Sequence, residues 1–302
     1  DVRPINAIKE DMLTKNLSFF EVPSFTLPEK SNFGGTASEN QFVGDNPSSL
    51  AIVRYFLPKR HTFGKMTGEI VDASGKTMCN VEVGKLKGIN TVVWGFNASA
   101  PKVAKGKGFS AAPAPYVSAG SYLLRITKGN ETFEKAIEVK YDSTSTFTLA
   151  DREKQQTAIK ELITMIQDLA YLVYQIDQWD AKATEYKTKH AKTKKFVDGL
   201  RMELTAMRNS LVVTTGDNYV GAAEDQLREK INEIYSTVSS YFGAPSSSEL
   251  ANIRALSNEL NKAKKQFGVI QETRIKAFKS LLEKDTSIKM PEILSFEEFL
   301  KQ

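Results

Sequence analysis

The sequence predicts a multidomain α and β chain: an antiparallel β-sandwich over residues 49–142, then a long antiparallel helical bundle over 143–302. Three observations predict it. Residues 1–150 hold 8 of the 10 prolines and 13 of the 18 glycines, the residues that punctuate short elements. Apolar residues between Leu50 and Tyr141 recur with period two, as on half-buried strands. Beyond residue 150 they recur at steps of three and four, as on one face of a helix. A chain of 302 residues accommodates two ordinary domains.

Residues 1–48 read as an irregular linker segment. Ile5, Ile8, Met12, Leu13 and Leu17 suit one short amphipathic helix, and then Pro23, Pro28, Gly34 and Gly35 interrupt the chain. Residues 29–49 are small and polar, as linkers are. Ala51, Val53, Tyr55 and Leu57 then share one strand face. Met66, Gly68 and Ile70 come next, with Asp72, Ser74 and Gly75 as a turn. Cys79, Val81 and Val83 make a third run, and Val92, Trp94 and Phe96 a fourth. After a long loop come Tyr122, Leu124 and Ile126, then the Gly129–Asn130 hairpin signal, then Phe133, Ile137, Val139 and Tyr141. Strands this short, separated by turn signals, favour a sandwich.

About four helices are expected, over 151–180, 193–213, 223–242 and 247–284. The first carries Ile159, Leu162, Ile166, Leu169, Val173 and Ile176 on one face, and Asp151 and Glu153 suit its N-terminus. Phe196, Leu200, Leu204, Met207 and Leu211 mark the second, and Gly216–Asn218 ends that stretch. Leu227, Ile231, Ile234 and Val238 mark the third, which stops at Gly243–Pro245. Ser246 or Ser247 caps the fourth, whose stripe runs through Ile253, Leu256, Leu260, Ala263, Phe267, Phe278 and Leu281. None of these stripes is buried by its own helix, so the helices must pack together.

Several kinds of chemistry find little material. Cys79 is the sole cysteine, which excludes an internal disulfide and a multi-cysteine zinc site, and its strand phase makes it a small core residue. His61 and His190 are the two histidines. Gly106, Gly108 and Ala111 match a loose dinucleotide pattern, but Pro113 and Pro115 forbid the helix that pattern requires, so the stretch reads as a flexible inter-strand loop. Asp177 and Asp180 read as a solvated helix face. No catalytic residue, cofactor or metal site is expected. The net charge of +5 is diffuse, and the densest basic run, Lys187, Lys189, Lys192, Lys194 and Lys195, reads as solvated surface, so nucleic acid is not an expected partner. No apolar run is long enough to span a membrane, the longest being broken at Gln175. Two aromatics remain as possible ligand contacts: Tyr116 in the Lys-, Gly- and Pro-rich loop 101–120, and Trp179 near the end of the first helix.

The runs Leu50–Pro58 (LAIVRYFLP), Gly68–Gly75 (GEIVDASG) and Gly88–Phe96 (GINTVVWGF), then Ala114–Pro115 with Ala119–Ile126 (AGSYLLRI), resemble the C-terminal region of a bacterial family. Its members are large secreted proteins with a sortilin-like, BNR-repeat β-propeller, described as glycosyl hydrolases. Asp1–Ile5 and Leu17–Pro23 resemble the stretch leaving the last propeller blade, and residues 216–231 with the helix after Pro245 are similar to the segment that ends the family. The usual Trp-Asp pair is Trp94–Gly95 here. The resemblance implies an immunoglobulin-like form for the sandwich and a non-catalytic accessory role in a larger protein, linked to glycan or polysaccharide processing. It also implies a secreted, periplasmic or cell-envelope location and an N-terminal β-propeller of the same chain as partner. The alternative expectation is a carbohydrate-binding or protein–protein interaction module.

Overall fold

The computed structural model describes residues 3–29, 48–108, 112–190, 193–215, 224–285 and 288–302. Most of the expected 29–49 linker, residues Phe109 to Ala111 of the glycine motif, Lys192 of the basic run and the Gly216–Asn218 break lie outside the described residues. The chain forms two compact units: residues 1–99 with 114–148, and residues 100–113 with 149–302.

The first unit is built on two sheets. One has the order β1 (Ser18–Phe19), β3 (Ala51–Leu57), β6 (Gly88–Trp94). The other has the order β2 (Phe25–Thr26), β8 (Glu131–Lys140), β7 (Gly120–Lys128), β4 (Met66–Asp72), β5 (Thr77–Val81). All pairings are antiparallel except β2 with β8, which is parallel. The six runs read from period two are therefore strands, and their apolar phases meet. Tyr55, Leu57, Ile70, Trp94, Leu124, Ile126 and Ile137 belong to one hydrophobic core drawn from both sheets.

Strands β1 and β2 come from the segment expected to be irregular, and a short helix α1 (Arg3–Asn6) and a 3-10 turn (Glu10–Leu13) precede them. Met12, from that turn, packs with Phe20 and Phe56. The turn after β4 forms as its composition predicts: Asp72 Oδ1 accepts from the Ser74 and Lys76 backbone N–H groups at 2.9 and 3.0 Å. The Ser74 hydroxyl, also on Oδ1, is the largest of the contacts that hold the Asp72 carboxyl below its usual range.

The second unit is organised around α2 (Leu149–Lys189), a helix of 41 residues. At a rise of about 1.5 Å per residue it is about 60 Å long. It extends beyond the expected end near 180 because Trp179, Ala183 and Tyr186 continue its buried stripe. Packed on it are α3 (Lys194–Leu211), α4 (Leu227–Ser239) and α5 (Ser247–Ile270), with a π segment (Gln271–Ile275) and α6 (Lys276–Leu282) continuing α5. The π segment adds a residue to the turn and rotates the helix beyond it. Hence Ile275, Phe278 and Leu282 take core positions, and Leu281, expected in the stripe, is only half-buried. A final helix, α7 (Phe296–Lys301), brings Phe296 and Phe299 against Tyr171, a contact that periodicity did not suggest.

Asp177 and Asp180 are not simply solvated. Arg208 Nε donates to Asp177 Oδ1 at 2.6 Å, and Arg201 Nε donates to Asp180 Oδ1 at 2.9 Å, so two ion pairs tie α2 to α3. Both pairs are partly exposed, which limits each to about 1 kcal/mol or less.

Helix α5 opens with a capping box. Glu249 N–H donates to Ser246 Oγ at 3.2 Å, and Ser246 N–H donates to Glu249 Oε2 at 2.6 Å. The second of these bonds is the main cause that lowers the Glu249 carboxyl below its ordinary value. A lowered carboxyl contributes stability above its unfolded pKa and loses it as pH falls through the folded one. Ser246→Ala is therefore expected to destabilise the helical unit by about 1 kcal/mol at neutral pH. Only the part of the deficit that comes from the Ser246 hydroxyl beside the Glu249 carboxylate should fade as the pH falls through the folded pKa of Glu249, because alanine keeps the backbone N–H that is the main cause; urea titrations at several pH values read it.

Candidate functional site

The two aromatics singled out from sequence lie in different units. Trp179 is 4% exposed and belongs to the helical core, edge-on to Phe278 at 6.5 Å with Lys279 Nζ 5.3 Å from its ring centre. Tyr116 is half-buried and packs against the β core. Its segment pairs with residues 96–98: Val117 N–H donates to Phe96 O at 2.8 Å and Ala98 N–H to Pro115 O at 2.9 Å. This pairing holds Phe96 at φ 59°, in the left-handed region that a bulky side chain seldom adopts.

Cys79 is half-buried. It lines a groove of about 510 Å³ with Glu82, Thr91, Val93 and Asn97, along the facing edge strands β5 and β6. Burial pushes the Cys79 thiol up, which disfavours the nucleophilic thiolate. The groove lining offers one carboxylate, Glu82, and does not include Tyr116.

The glycine-rich stretch at 106–108 belongs to the helical unit instead of acting as a flexible inter-strand loop. Lys107 N–H donates to Val213 O at 2.8 Å. Arg228 Nη1 donates to Ala104 O at 2.9 Å and Nη2 to Gly108 O at 2.6 Å, while Nε donates to Glu229 Oε1 at 2.7 Å. Gly106 lies so close that a Cβ there would stand 2.7 Å from Arg228 Cζ. These glycines accommodate a buried guanidinium rather than a pyrophosphate. Of the basic run, Lys187 pairs with Asp198, and Lys189 lies 3.6 Å from Glu185. His190 Nε2 lies 2.6 Å from Asp285 Oδ2, and its ring stacks on Tyr186 at 4.3 Å.

A site that periodicity and motif searches pass over stands at one end of the β unit, where three loops meet. His61 N–H donates to Lys85 O at 2.9 Å, which joins the β3–β4 loop to the β5–β6 loop. Gly129 N–H donates to Lys65 O at 3.1 Å, which brings in the β7–β8 hairpin. The β5–β6 loop is held from beneath by buried Asn90. Its Oδ1 accepts from Leu86 N–H at 3.1 Å, and its Nδ2 donates to Leu86 O at 2.7 Å and Gly88 O at 3.1 Å. The buried Tyr55 hydroxyl donates to Gly84 O in the same loop. Gly88 closes it at φ 99°, a conformation that favours glycine.

The side chains that this loop framework displays are unusual for a turn. Phe63 is 88% exposed and Leu86 61%. Around them Lys59, Arg60, Lys65, Lys85 and Lys87 are exposed and form no ion pair among the described residues. The nearest acidic residues in sequence are Glu82, which lines the groove, and Glu69, whose Oε1 accepts from Arg125 Nη1 at 3.2 Å; Glu131, beside the β7–β8 hairpin, accepts from Asn16 Nδ2 at 2.7 and 3.0 Å. The sequence signal was present: a large apolar residue between lysines inside a turn, in Lys85–Leu86–Lys87 and in Lys59–Lys65. A search for alternation skips turns, and a search for runs of charge skips two short loops.

Among the described residues, no helix is long and apolar enough to cross a membrane, and no group of three or more His, Cys, Asp or Glu is placed to hold a metal ion. Known protein families include none whose pattern matches this chain, and no curated protein matches it.

Proposed function

We propose that this chain is a non-catalytic accessory region of a larger secreted protein and that its β unit is a docking module for an anionic surface. The carrying observation is the loop end. There two apolar side chains stand out among five cations that have no ion-pair partner among the described residues, on a β5–β6 loop fixed by buried Asn90 and Tyr55 and a β3–β4 loop joined to it by the His61-to-Lys85 backbone bond. Rigid loops that expose apolar tips at the cost of hydration favour an interaction site over a packing accident. The likeness of residues 50–126 to the tail of secreted propeller proteins favours an accessory place in a longer chain, at the cell envelope or outside the cell.

One contact favours the immunoglobulin-like form of the β unit. Tyr122, near the start of β7, donates its hydroxyl to Ser118 O at 2.8 Å, four residues back, as a tyrosine corner does. Buried Trp94 fills the space between the sheets beside it, its ring 5.3 Å from that of Tyr122.

The full chain is expected to bind heparin-agarose, anionic vesicles or both, to elute at moderate salt because exposed charges are screened, and to release no sugar from a polysaccharide panel. Lys59→Glu with Lys85→Glu and Lys87→Glu should abolish the binding. Failure to bind any anionic surface, or turnover of a glycan by this chain, would overturn the reading.

A further inference from the structure

We infer that the loop end of the β unit docks on a bilayer containing anionic phospholipid, with Phe63 and Leu86 entering the boundary between headgroups and acyl chains. The inference rests on the docking reading above and names its ligand. The choice of lipid comes from the combination of side chains.

A soluble polyanion needs cations and hydrogen-bond donors, and the loop end has both. It has no use for a phenyl ring and an isobutyl group held out in water at 88% and 61% exposure. A bilayer surface uses all of them. Apolar tips gain free energy by leaving water for the acyl boundary, and flanking lysines meet phosphates at headgroup level. The long methylene stems of Lys85 and Lys87 let their ammonium groups stay in the headgroup layer while Leu86 between them goes deeper.

The geometry is suited to this. The His61-to-Lys85 backbone bond places the two loops side by side, so the two tips belong to one end of the unit. His61 Nε2 lies 3.2 Å from Gly64 O, which folds the 61–64 turn that carries Phe63. Asn90, bonded to both backbone groups of Leu86, fixes the second tip. Little conformational freedom is then lost on docking, which favours binding through two small tips.

The test is co-sedimentation of the 302-residue chain with phosphatidylcholine vesicles, with and without phosphatidylglycerol, beside a heparin-agarose column. Binding is expected only to the vesicles with phosphatidylglycerol. Phe63→Ser with Leu86→Ser should weaken vesicle binding by about tenfold or more while leaving heparin retention unchanged. Lys59→Gln, Arg60→Gln, Lys85→Gln and Lys87→Gln together should weaken both. Phe63→Trp supplies an independent readout: the new indole should shift its emission to the blue on anionic vesicles.

All replaced side chains are exposed, so unchanged thermal unfolding is expected of every variant. Heparin retention without vesicle binding, or vesicle binding that survives Phe63→Ser with Leu86→Ser, would overturn the lipid inference and leave the docking reading standing. Absence of both would overturn the two together.

Discussion

Replacing Arg228 with methionine is expected to destabilise the helical unit by about 3–5 kcal/mol, the usual cost of breaking a buried ion pair from one side. Arg228 and Glu229 are each 5% exposed, adjacent on α4, and paired through Arg228 Nε and Nη2. The guanidinium also donates to Ala104 O and Gly108 O. Methionine fills much of the volume but donates nothing. Two carbonyls and a carboxylate would then remain in a dry environment, where each unsatisfied polar group costs about 1–3 kcal/mol. Glu229 Oε2 already has no hydrogen-bond partner among the described residues, so the carboxylate has no second contact to fall back on.

The double replacement Arg228→Met with Glu229→Leu separates the pair from its surroundings. Removing both charges should recover a large part of the loss, because desolvation of the carboxylate disappears with it. Gly106→Ala approaches the same site from the other side: its Cβ must displace the guanidinium, so a smaller loss of the same sign is expected. Urea unfolding followed by the helical far-UV signal measures all three. Arg228→Met at wild-type stability would mean that water replaces the guanidinium, and the 104–108 stretch would then be a passive covering of α4.

The pair also marks the limit of what the sequence discloses. Strands β3, β4, β6, β7 and β8 were legible because each is long enough, at seven to ten residues, to repeat its alternation. Strands β1 and β2 have two residues each, and a period of two needs more than that to be seen. On α4 the stripe Leu227, Ile231, Ile234, Val238 was legible, yet Arg228, Glu229 and Asn232 are buried as well. A charged residue beside an apolar stripe is ordinarily solvated, and only the fold reveals that Ala104 and Gly108 meet Arg228 on that side. Chain order assigned those two residues to the strands around them. The register change after Phe267 was hidden for a related reason: a π segment has no reliable composition, and it shows in the core position of Leu282 where Leu281 was expected.

Trp179→Ala is expected to cost the helical unit about 3–5 kcal/mol, the range for emptying a buried aromatic site. The indole is 4% exposed and edge-on to Phe278, which itself meets Tyr186 edge-on at 5.4 Å. Removing it takes one member from a line of three rings connecting α2 to α6, and Lys279 loses the ring face on which its ammonium rests. Trp179→Phe keeps most of the ring volume and should recover most of the stability. A ligand-contact residue predicts the opposite pattern: stability intact in both variants and affinity for a glycan lost in Trp179→Ala. Thermal unfolding and affinity electrophoresis on the same two proteins decide between them. The burial favours the first outcome, because a side chain enclosed by Phe278 and Lys279 meets a sugar only if α6 leaves α2, and that opening has to break the same contacts that the alanine variant measures.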